Sequence, residues 1–325
     1  MLKKIDSLFL IGFIIFISMK MSFADTSLPK KSIRLVVPVG IGGLTDVIAR
    51  IIADKTFETL NQQIIIDNRA GAGGIIGSEI VAKAQPDGNT LLMAFPAHTI
   101  NPSLYKKLPY HTIEDFSPIT MATSVTEILL VQPTSPVHNL QDLINAAKEN
   151  PGQLNYGSVG VGSLAYLASE LLASMTGIRV THIAYKSGPQ AQIALASGEI
   201  QFYFGVPLTS IATVRSGRLR AIAVSSKSRI SALPQVPTMM ESGLTHYEVI
   251  GWNGILAPAK IKSATVNRLH LAFVQALKSP DIIEKLSAQG AESIGNSPKE
   301  FAQIIHSDIL KWSSLMKASK ISYQQ

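Results

Sequence analysis

Residues 38–46 read Pro38-Val39-Gly40-Ile41-Gly42-Gly43-Leu44-Thr45-Asp46, a glycine-rich loop between an apolar strand pattern and a helical pattern. The strand pattern is Ile33–Val37, and the amphipathic helix pattern begins at Val47, with Thr45 as the expected helix cap. Such a loop leaves backbone N–H groups free at the start of a helix, where the helix dipole favours an anion. An ordinary strand-to-helix turn uses glycine in the same way, so this loop alone leaves both an anion site and a simple turn open.

A second glycine loop, residues 68–74, follows the next strand pattern and favours the anion site. It reads Asn68-Arg69-Ala70-Gly71-Ala72-Gly73-Gly74. The dinucleotide fingerprint requires glycine at the sixth position counted from Gly71, where this chain has Ile76. No Gly-Lys-Ser/Thr sequence follows either loop, which excludes a phosphate-binding P-loop. We therefore expect the loops to hold a small anion that is not a nucleotide.

A third loop carries two hydroxyl groups between a strand pattern and a helical pattern. It reads Tyr156-Gly157-Ser158-Val159-Gly160-Val161-Gly162-Ser163. A nucleophile elbow has glycine two residues before its serine, and here that position is Tyr156. Because no general base is recognisable, an exported α/β hydrolase that uses Ser158 is the weaker alternative to a binding site.

Three further side chains follow strand patterns and are candidate ligand contacts. His98 comes shortly after Thr90–Ala94, and Tyr185 and Lys186 come after Thr181–Ile183. Lys186 would supply a positive charge to the ligand, although a solvated lysine in a turn is the simpler interpretation. The seven histidines show no spacing typical of a metal site, and the chain has no cysteine. We therefore expect no metal, disulfide or thiolate chemistry.

The N-terminus has the features of a signal peptide. Lys3 and Lys4 precede the apolar run Leu8–Ile17, and Ser22-Phe23-Ala24 offers a cleavage site. The apolar run is too short to cross a bilayer, so an uncleaved anchor is the less favoured alternative. We expect a periplasmic protein that is cleaved near Ala24.

The charge distribution argues against nucleic-acid binding. The formal net charge is +7, only 16% of the residues are charged, and basic runs stop at pairs such as Lys30-Lys31. A nucleic-acid interface usually has a concentrated basic stripe. A mild positive charge instead attracts anionic solutes. We expect a small organic anion as the ligand and a monomeric protein without a cofactor.

Strand and helix patterns alternate along the chain, which predicts an α/β fold with largely parallel strands. Without a low-complexity linker, we expect two lobes joined by crossing strands near Pro118–Ile128 and Tyr247–Leu256, which would form a hinge. Lobe 1 would comprise residues 25–123 and 251–325, and lobe 2 residues 124–250. The predicted strands are Ile33–Val37, Ile64–Ile66, Thr90–Ala94, Ile128–Val131, Leu154–Tyr156, Thr181–Ile183, Ile200–Phe204, Leu219–Val224 and Tyr247–Leu256.

Segments distributed along the chain resemble one family, the Bug (TctC-like) solute receptors. The similarity is collinear over essentially the whole chain after the signal peptide, so it is far more specific than a single glycine motif. The matching segments are Ile33–Pro38, Gly42–Arg50, Asp67–Gly74, Gln85–Leu92, Ile100–Tyr105, Leu154–Ser158, His182–Lys186, Gly217–Val224 and Leu233–Thr238.

The resemblance implies a two-lobed periplasmic binding protein, with a type II-like Venus-flytrap architecture that closes on a small ligand, commonly a carboxylate. Receptors of this family serve tripartite tricarboxylate transporters and deliver the solute to their membrane subunits. A receptor that feeds a signalling partner is the alternative. The resemblance also implies that the ligand carboxylate lies near the first two loops and is held partly through water, which tolerates varied ligands.

The chain departs from the family pattern at two places. Where the family usually reads Phe-Pro-Pro-Gly-Gly, this chain has Val39-Gly40-Ile41-Gly42-Gly43, so the loop is less preorganised. Gly205 and Val206 follow Phe204, where relatives often carry a polar residue, and this favours a ligand with an apolar body. No catalytic residue is expected. The predicted ligand contacts are Gly42, Gly43, Thr45, Asp46, Ala70, Gly71, Gly73, Gly74, Ala97, His98, Ser158, Gly160, Ser163, Tyr185, Lys186 and Gly205.

Overall fold

The computed structural model describes residues 31–318, and the predicted signal peptide lies outside this range. Within it, no helix is both long and apolar enough to span a membrane. The strands are β1 (Ile33–Val37), β2 (Ile64–Asn68), β3 (Thr90–Ala94), β4 (Phe116–Thr126), β5 (Ile128–Val131), β6 (Asn155–Ser158), β7 (Thr181–Ala184), β8 (Phe202–Gly205), β9 (Arg220–Val224), β10 (Ile250–Pro258) and β11 (Glu292–Ser293). The helices are α1 (Leu44–Leu60), α2 (Ile75–Ala82), α3 (Ala97–Leu104), α4 (Leu140–Glu149), α5 (Leu164–Thr176), α6 (Gly188–Ser197), α7 (Pro207–Arg215), α8 (Ser263–Leu277), α9 (Pro280–Ala288) and α10 (Pro298–Ala318), and a short 3₁₀ turn covers Ala72–Gly74.

The strands of residues 31–318 form two sheets, which we call the sheets of lobe 1 and lobe 2. The first has six strands in the order β11-β4-β10-β3-β1-β2, and the second has five in the order β7-β6-β8-β5-β9. The expectation of an α/β fold with two lobes is therefore met.

The expectation of largely parallel strands is wrong, because both sheets are mixed. The parallel pairs of strands are β1 with β2, β1 with β3, β6 with β7, and β6 with β8. Strands β4, β5 and β10 pair antiparallel with their neighbours. A helical crossover brings the chain back to the same end of the sheet, so the next strand runs parallel to the one before it. Strands β4 and β5 instead carry the chain from the lobe 1 sheet to the lobe 2 sheet, and β10 carries it back. These three strands therefore run antiparallel to their neighbours.

The two crossings between the sheets are tied together at Ser225. Glu127 is the residue between β4 and β5, and its N–H donates to Ser225 Oγ over 2.8 Å. The Ser225 N–H in turn donates to the Glu127 carbonyl over 2.9 Å, and Ser225 Oγ donates to the Val249 carbonyl over 2.6 Å, just before β10 begins. One serine therefore holds the outgoing and the returning segment together at the hinge.

The core of lobe 1 lies on both faces of its sheet, as the alternation along β1 requires. Leu35 packs on one face with Ile52 of α1 and Phe273 of α8. Val36 packs on the other face with Phe301 of α10. Burial of one such side chain stabilises the fold by about 1.5–3 kcal/mol.

Lobe 2 has its own core, and two elements of lobe 1 join it. Phe202 and Phe204 of β8 are fully buried there. Leu104 of α3 and Trp312 of α10 belong to the same cluster, although both helices follow strands of the lobe 1 sheet. The two lobes are therefore in direct apolar contact in this structure.

Candidate functional site

The predicted loops meet at one edge of each sheet. Because β1, β2 and β3 are parallel neighbours, the loops that follow them lie at the same edge and lead into α1, α2 and α3. In lobe 2 the parallel strands β6, β7 and β8 place the loops before α5, α6 and α7 in the same way. Helix N-termini of this kind present backbone N–H groups to an anion.

Asp46 holds the first loop in shape. The Gly42 N–H donates to Asp46 Oδ2 over 2.9 Å, and Arg50 donates to both carboxylate oxygens over 3.1 and 3.0 Å. The Asp46 side chain is only 2% exposed. Burial opposes its ionisation, but the hydrogen bonds from Arg50, Gly42 and Asn68 outweigh burial and hold the pKa of Asp46 below its usual value. Its carboxylate positions the loop, and a contact of Asp46 with the ligand stays a prediction.

The first loop presents glycine backbone at its surface. Gly42 and Gly43 are exposed, and Gly43 is the N-cap of α1, with φ −69° and ψ 157°. Thr45 lies inside the helix with its side chain buried, so the expectation that it caps the helix is wrong. Because the cap residue has no side chain, the first N–H groups of α1 receive no hydrogen bond from a cap side chain.

The second loop is built from consecutive residues in the left-handed region. Gly71, Gly73 and Gly74 have φ values of 137°, 60° and 88°, and Ala72 has φ 47°. Such angles favour glycine. The loop is fastened from the side by Asn101 of α3, whose Nδ2 donates to the Gly73 carbonyl over 3.1 Å. Ala70 and Gly73 are exposed, Gly71 is half-buried and Gly74 is buried.

His98 is turned into the interior of lobe 1, and its role as a ligand contact stays a prediction. Its side chain is 2% exposed, its ring stacks on Tyr110 at 6.1 Å and meets Phe116 edge-on at 4.8 Å. Its Nε2 lies 3.2 Å from the Thr112 carbonyl. Burial lowers the pKa of His98 to about 4, so the ring is neutral near pH 7. The preceding residue, Ala97, is half-buried at the start of α3.

The third loop is closed by hydrogen bonds of its two serines. Ser158 Oγ accepts from the Gly160 N–H over 3.0 Å, and Ser163 Oγ donates to the Gly160 carbonyl over 2.7 Å. Ser163 caps α5 by accepting from the Tyr166 N–H over 3.3 Å. Gly160 and Ser163 are half-buried, whereas Ser158 is fully buried.

The structure also gives Ser158 a partner that sequence reasoning missed. His182 Nε2 of the neighbouring strand β7 lies 2.6 Å from Ser158 Oγ. The sequence alone offered no base for Ser158, because the two residues come together only through the pairing of β6 with β7. Ser158 is fully buried, so its hydroxyl is not exposed at the surface in this structure.

The remaining predicted contacts lie at the carboxyl ends of the other two parallel strands of lobe 2, β7 and β8. The Tyr185 hydroxyl donates to Glu199 Oε1 over 2.8 Å. Lys186 is exposed, and its N–H donates to Gln190 Oε1 over 3.1 Å. Gly205 is buried, and a Cβ there would lie 2.5 Å from Ser210 Oγ, so no side chain fits at that position.

The lobes touch at two further places. Val206, just before α7, packs against the buried lobe 1 cluster that includes Ile48 and Phe273. A Cβ at Gly162 would lie 2.6 Å from Leu104 Cδ1 of α3. Both contacts bring lobe 2 against lobe 1.

A cavity of 580 Å³ opens beside the hinge. Residues of both lobes line it, among them Thr126, Ile250 and Pro207. None of the predicted ligand contacts lines this cavity, so it is separate from the glycine loops. Within residues 31–318, no group of three histidine, aspartate or glutamate side chains could hold a metal ion.

Residues 48–321 match the family model described as "Tripartite tricarboxylate transporter family receptor". The chain belongs to this family. BugT of Bordetella pertussis is 32% identical over 296 residues, which cover 90% of this chain and 90% of BugT. The predicted relation to the Bug receptors is confirmed.

Two solved structures of similar proteins contain a ligand. R. palustris Rpa4515 with adipate is 32% identical, with a TM-score of 0.77, and the match covers 91% of this chain and 99% of that chain. MatC (Rpa3494) from Rhodopseudomonas palustris with bound malate is 29% identical, with a TM-score of 0.73, and the match covers 89% and 99% of the two chains. Both confirm the two-lobed fold.

Proposed function

We propose that this receptor binds a small organic carboxylate between the glycine loops of lobe 1 and the serine loop of lobe 2. The observation that carries the proposal is the exposed, braced glycine backbone of Gly42 and Gly43 at the N-terminus of α1. Free N–H groups at a helix start favour an anion. The adipate and malate bound by two similar proteins are both small dicarboxylates, which supports the same class of ligand here.

The protein would act outside the cytoplasm after cleavage near Ala24, as a monomer, and deliver its ligand to the membrane subunits of a tripartite tricarboxylate-type transporter. We place lobe 1 at residues 25–123 and 251–325 and lobe 2 at residues 124–250. The buried position of Ser158 supports binding over hydrolysis, because a substrate has no access to its hydroxyl.

The test is calorimetry of the purified protein with adipate, malate and the neutral analogue adipamide. The proposal expects at least one of the two acids to bind, and adipamide to bind much more weakly, because it offers no negative charge to the helix N-termini. Equal binding of adipate and adipamide, or no binding of any carboxylate from a wider panel, would contradict the proposal.

A further inference from the structure

The hydrogen bonds around Ser158 favour one acceptor for its single proton. The Gly160 carbonyl, 3.2 Å from Ser158 Oγ, already accepts from the N–H and the hydroxyl of Ser163 over 3.1 and 2.7 Å. A carbonyl oxygen has two lone pairs, so both are in use. The open acceptor for the Ser158 proton is therefore His182 Nε2, at 2.6 Å. This arrangement requires a neutral imidazole with its own proton on Nδ1.

A small polar cluster surrounds His182. Its ring lies 5.1 Å from the ring of Tyr156 and 4.9 Å from that of Tyr166. Glu170 of α5 accepts a hydrogen bond from the Tyr156 hydroxyl over 2.7 Å and acts on the imidazole through its charge. Burial lowers the pKa of His182, and the charge of Glu170 opposes that shift.

Protonation of His182 would change both the charge and the hydrogen bonds behind the third loop. With a neutral imidazole, the pair of His182 and Glu170 carries one negative charge, which repels an anion. With an imidazolium, that charge is cancelled. Nε2 then donates to Ser158, whose own proton must turn to the Gly160 carbonyl and displace the hydroxyl of Ser163. The half-buried Ser163 hydroxyl is thereby released to donate to a ligand.

We propose that His182 is a positioning residue that makes anion binding at this site pH-dependent, with higher affinity when the imidazole is protonated. The proposal rests on the proposed carboxylate site. It assigns Ser158 and Ser163 to a hydrogen-bond relay, and it gives Glu170 the role of setting the pH at which the relay switches.

The experiment measures adipate or malate affinity, whichever acid binds, from about pH 8 to about pH 5, the range in which histidine titrates. The variant is H182Q, whose side chain keeps a hydrogen-bonding group near Ser158 but does not titrate. Relative to H182Q, the wild-type protein should gain about fivefold in affinity on acidification, the size expected for cancelling one nearby charge. Protonation of the ligand itself affects both proteins equally and cancels in this comparison. H138Q, at an exposed histidine before α4, should follow the wild-type profile.

A second measurement covers the case in which H182Q does not fold. Nuclear magnetic resonance of the wild-type histidines should show the pKa of His182 rising when the acid binds, because the coupling of the two equilibria is reciprocal. In E170Q, the affinity gain should move to lower pH, since a neutral side chain no longer stabilises the imidazolium. Superimposable profiles of wild type and H182Q, or a His182 pKa unaffected by ligand, would overturn the inference and leave the carboxylate site standing. If no carboxylate binds at any pH, the proposed function itself fails, and this inference with it.

Discussion

Asn68 Nδ2 donates a hydrogen bond to Asp46 Oδ1 over 2.8 Å, and this contact joins the second glycine loop to the first. The same Nδ2 lies 3.2 Å from the Val39 carbonyl, inside the first loop. Arg50 adds a third link by donating to Asn68 Oδ1 over 3.1 Å. The two anion loops are thus one braced unit whose shape depends on a single buried carboxylate.

Removal of that carboxylate should weaken the fold and the site together. In D46A, the Gly42 N–H and the Asn68 amide lose their acceptor, and we expect the free energy of unfolding to fall by about 2 kcal/mol. Chemical denaturation measures this loss. D54A is the matched control, because Asp54 is exposed on the same helix and should change stability by less than about 0.5 kcal/mol. Equal stability of the two variants would show that the brace is unimportant.

A side chain at Gly43 should obstruct the anion without unfolding the loop. The φ and ψ of Gly43 lie in the extended region that valine adopts readily, and a Cβ there would be 3.4 Å from the Gly40 carbonyl. We expect G43V to bind a carboxylate at least about tenfold more weakly, which is about 1.4 kcal/mol. Calorimetry measures the affinity and circular dichroism the fold. G40A, where a Cβ meets nothing within 4 Å, should bind like wild type. Unchanged affinity in folded G43V would remove this loop from the site.

His98 should make the protein sensitive to acid. Its pKa of about 4 in the folded state lies below the ordinary value near 6.5, so the unfolded state binds the proton more readily. The contribution to stability is complete above about pH 6.5 and is lost as pH falls towards about 4, by up to about 3 kcal/mol.

The variant H98F, which cannot bind a proton, should therefore show a flatter stability profile between about pH 6.5 and about pH 4. Denaturation midpoints across that range measure the profile. H306Q, at an exposed histidine on α10, should retain the wild-type slope. A wild-type slope in H98F would assign the acid sensitivity to other groups.

Lys186 should contribute to binding through its charge. We expect K186M to weaken adipate binding by about fivefold and to leave any binding of adipamide unchanged, because only the acid carries a charge to lose. The effect should shrink as salt is added, since an exposed charge is screened. K148M, at an exposed lysine on α4, should have no effect. Equal losses for the acid and the amide in K186M would indicate a role in packing.

The contact of Gly162 with Leu104 offers a test of lobe closure. In G162A, the new methyl group would lie 2.6 Å from Leu104 Cδ1 and should hold the lobes apart. We expect a larger radius of gyration by small-angle scattering in the presence of ligand, and weaker binding. G160A is the matched control, because Gly160 has φ 116° and therefore the same kind of backbone strain, but its Cβ would meet nothing within 4 Å. Identical scattering from the two variants would argue against closure at this contact.

Periodic apolar segments made much of the fold predictable from sequence. Ile33–Val37, Thr90–Ala94 and Ile128–Val131 form strands with the predicted bounds. A crossing strand was predicted near Pro118–Ile128, but the bounds of β4 were not, because Pro118 and a series of buried threonines interrupt the apolar pattern. The hydroxyl of Thr120 finds its acceptor, the Asn296 carbonyl, only in the folded protein. Helix α3 was missed because Pro102 lies inside it.

The glycine loops of the candidate site were predictable as segments, but the roles of their side chains were not. Glycine content and position after a strand are local properties. The pairing of Ser158 with His182 depends on the register between β6 and β7, which sets Tyr156 opposite His182 and Ser158 opposite Ala184. The burial of His98 depends on Tyr110 and Phe116, which come from segments with no strong pattern. Tertiary contacts of this kind have no signal in the sequence of one loop.

The sheet of lobe 1 is assembled from two stretches of chain, and its inner strand β10 is the last long strand to be made. Until Ile250–Pro258 leave the ribosome, β3 and β4 have open edges where β10 will later pair with both. Strands β5 to β9 lie in one uninterrupted stretch of chain. By then each of them has its neighbouring strands of the lobe 2 sheet available. We therefore expect the lobe 2 sheet to form before the lobe 1 sheet, with Trp312 of α10 joining the lobe 2 core afterwards, and the nascent chain to carry an unfinished, association-prone lobe 1 sheet until synthesis is almost complete. A truncated or stalled chain of this receptor is an aggregation hazard for that reason.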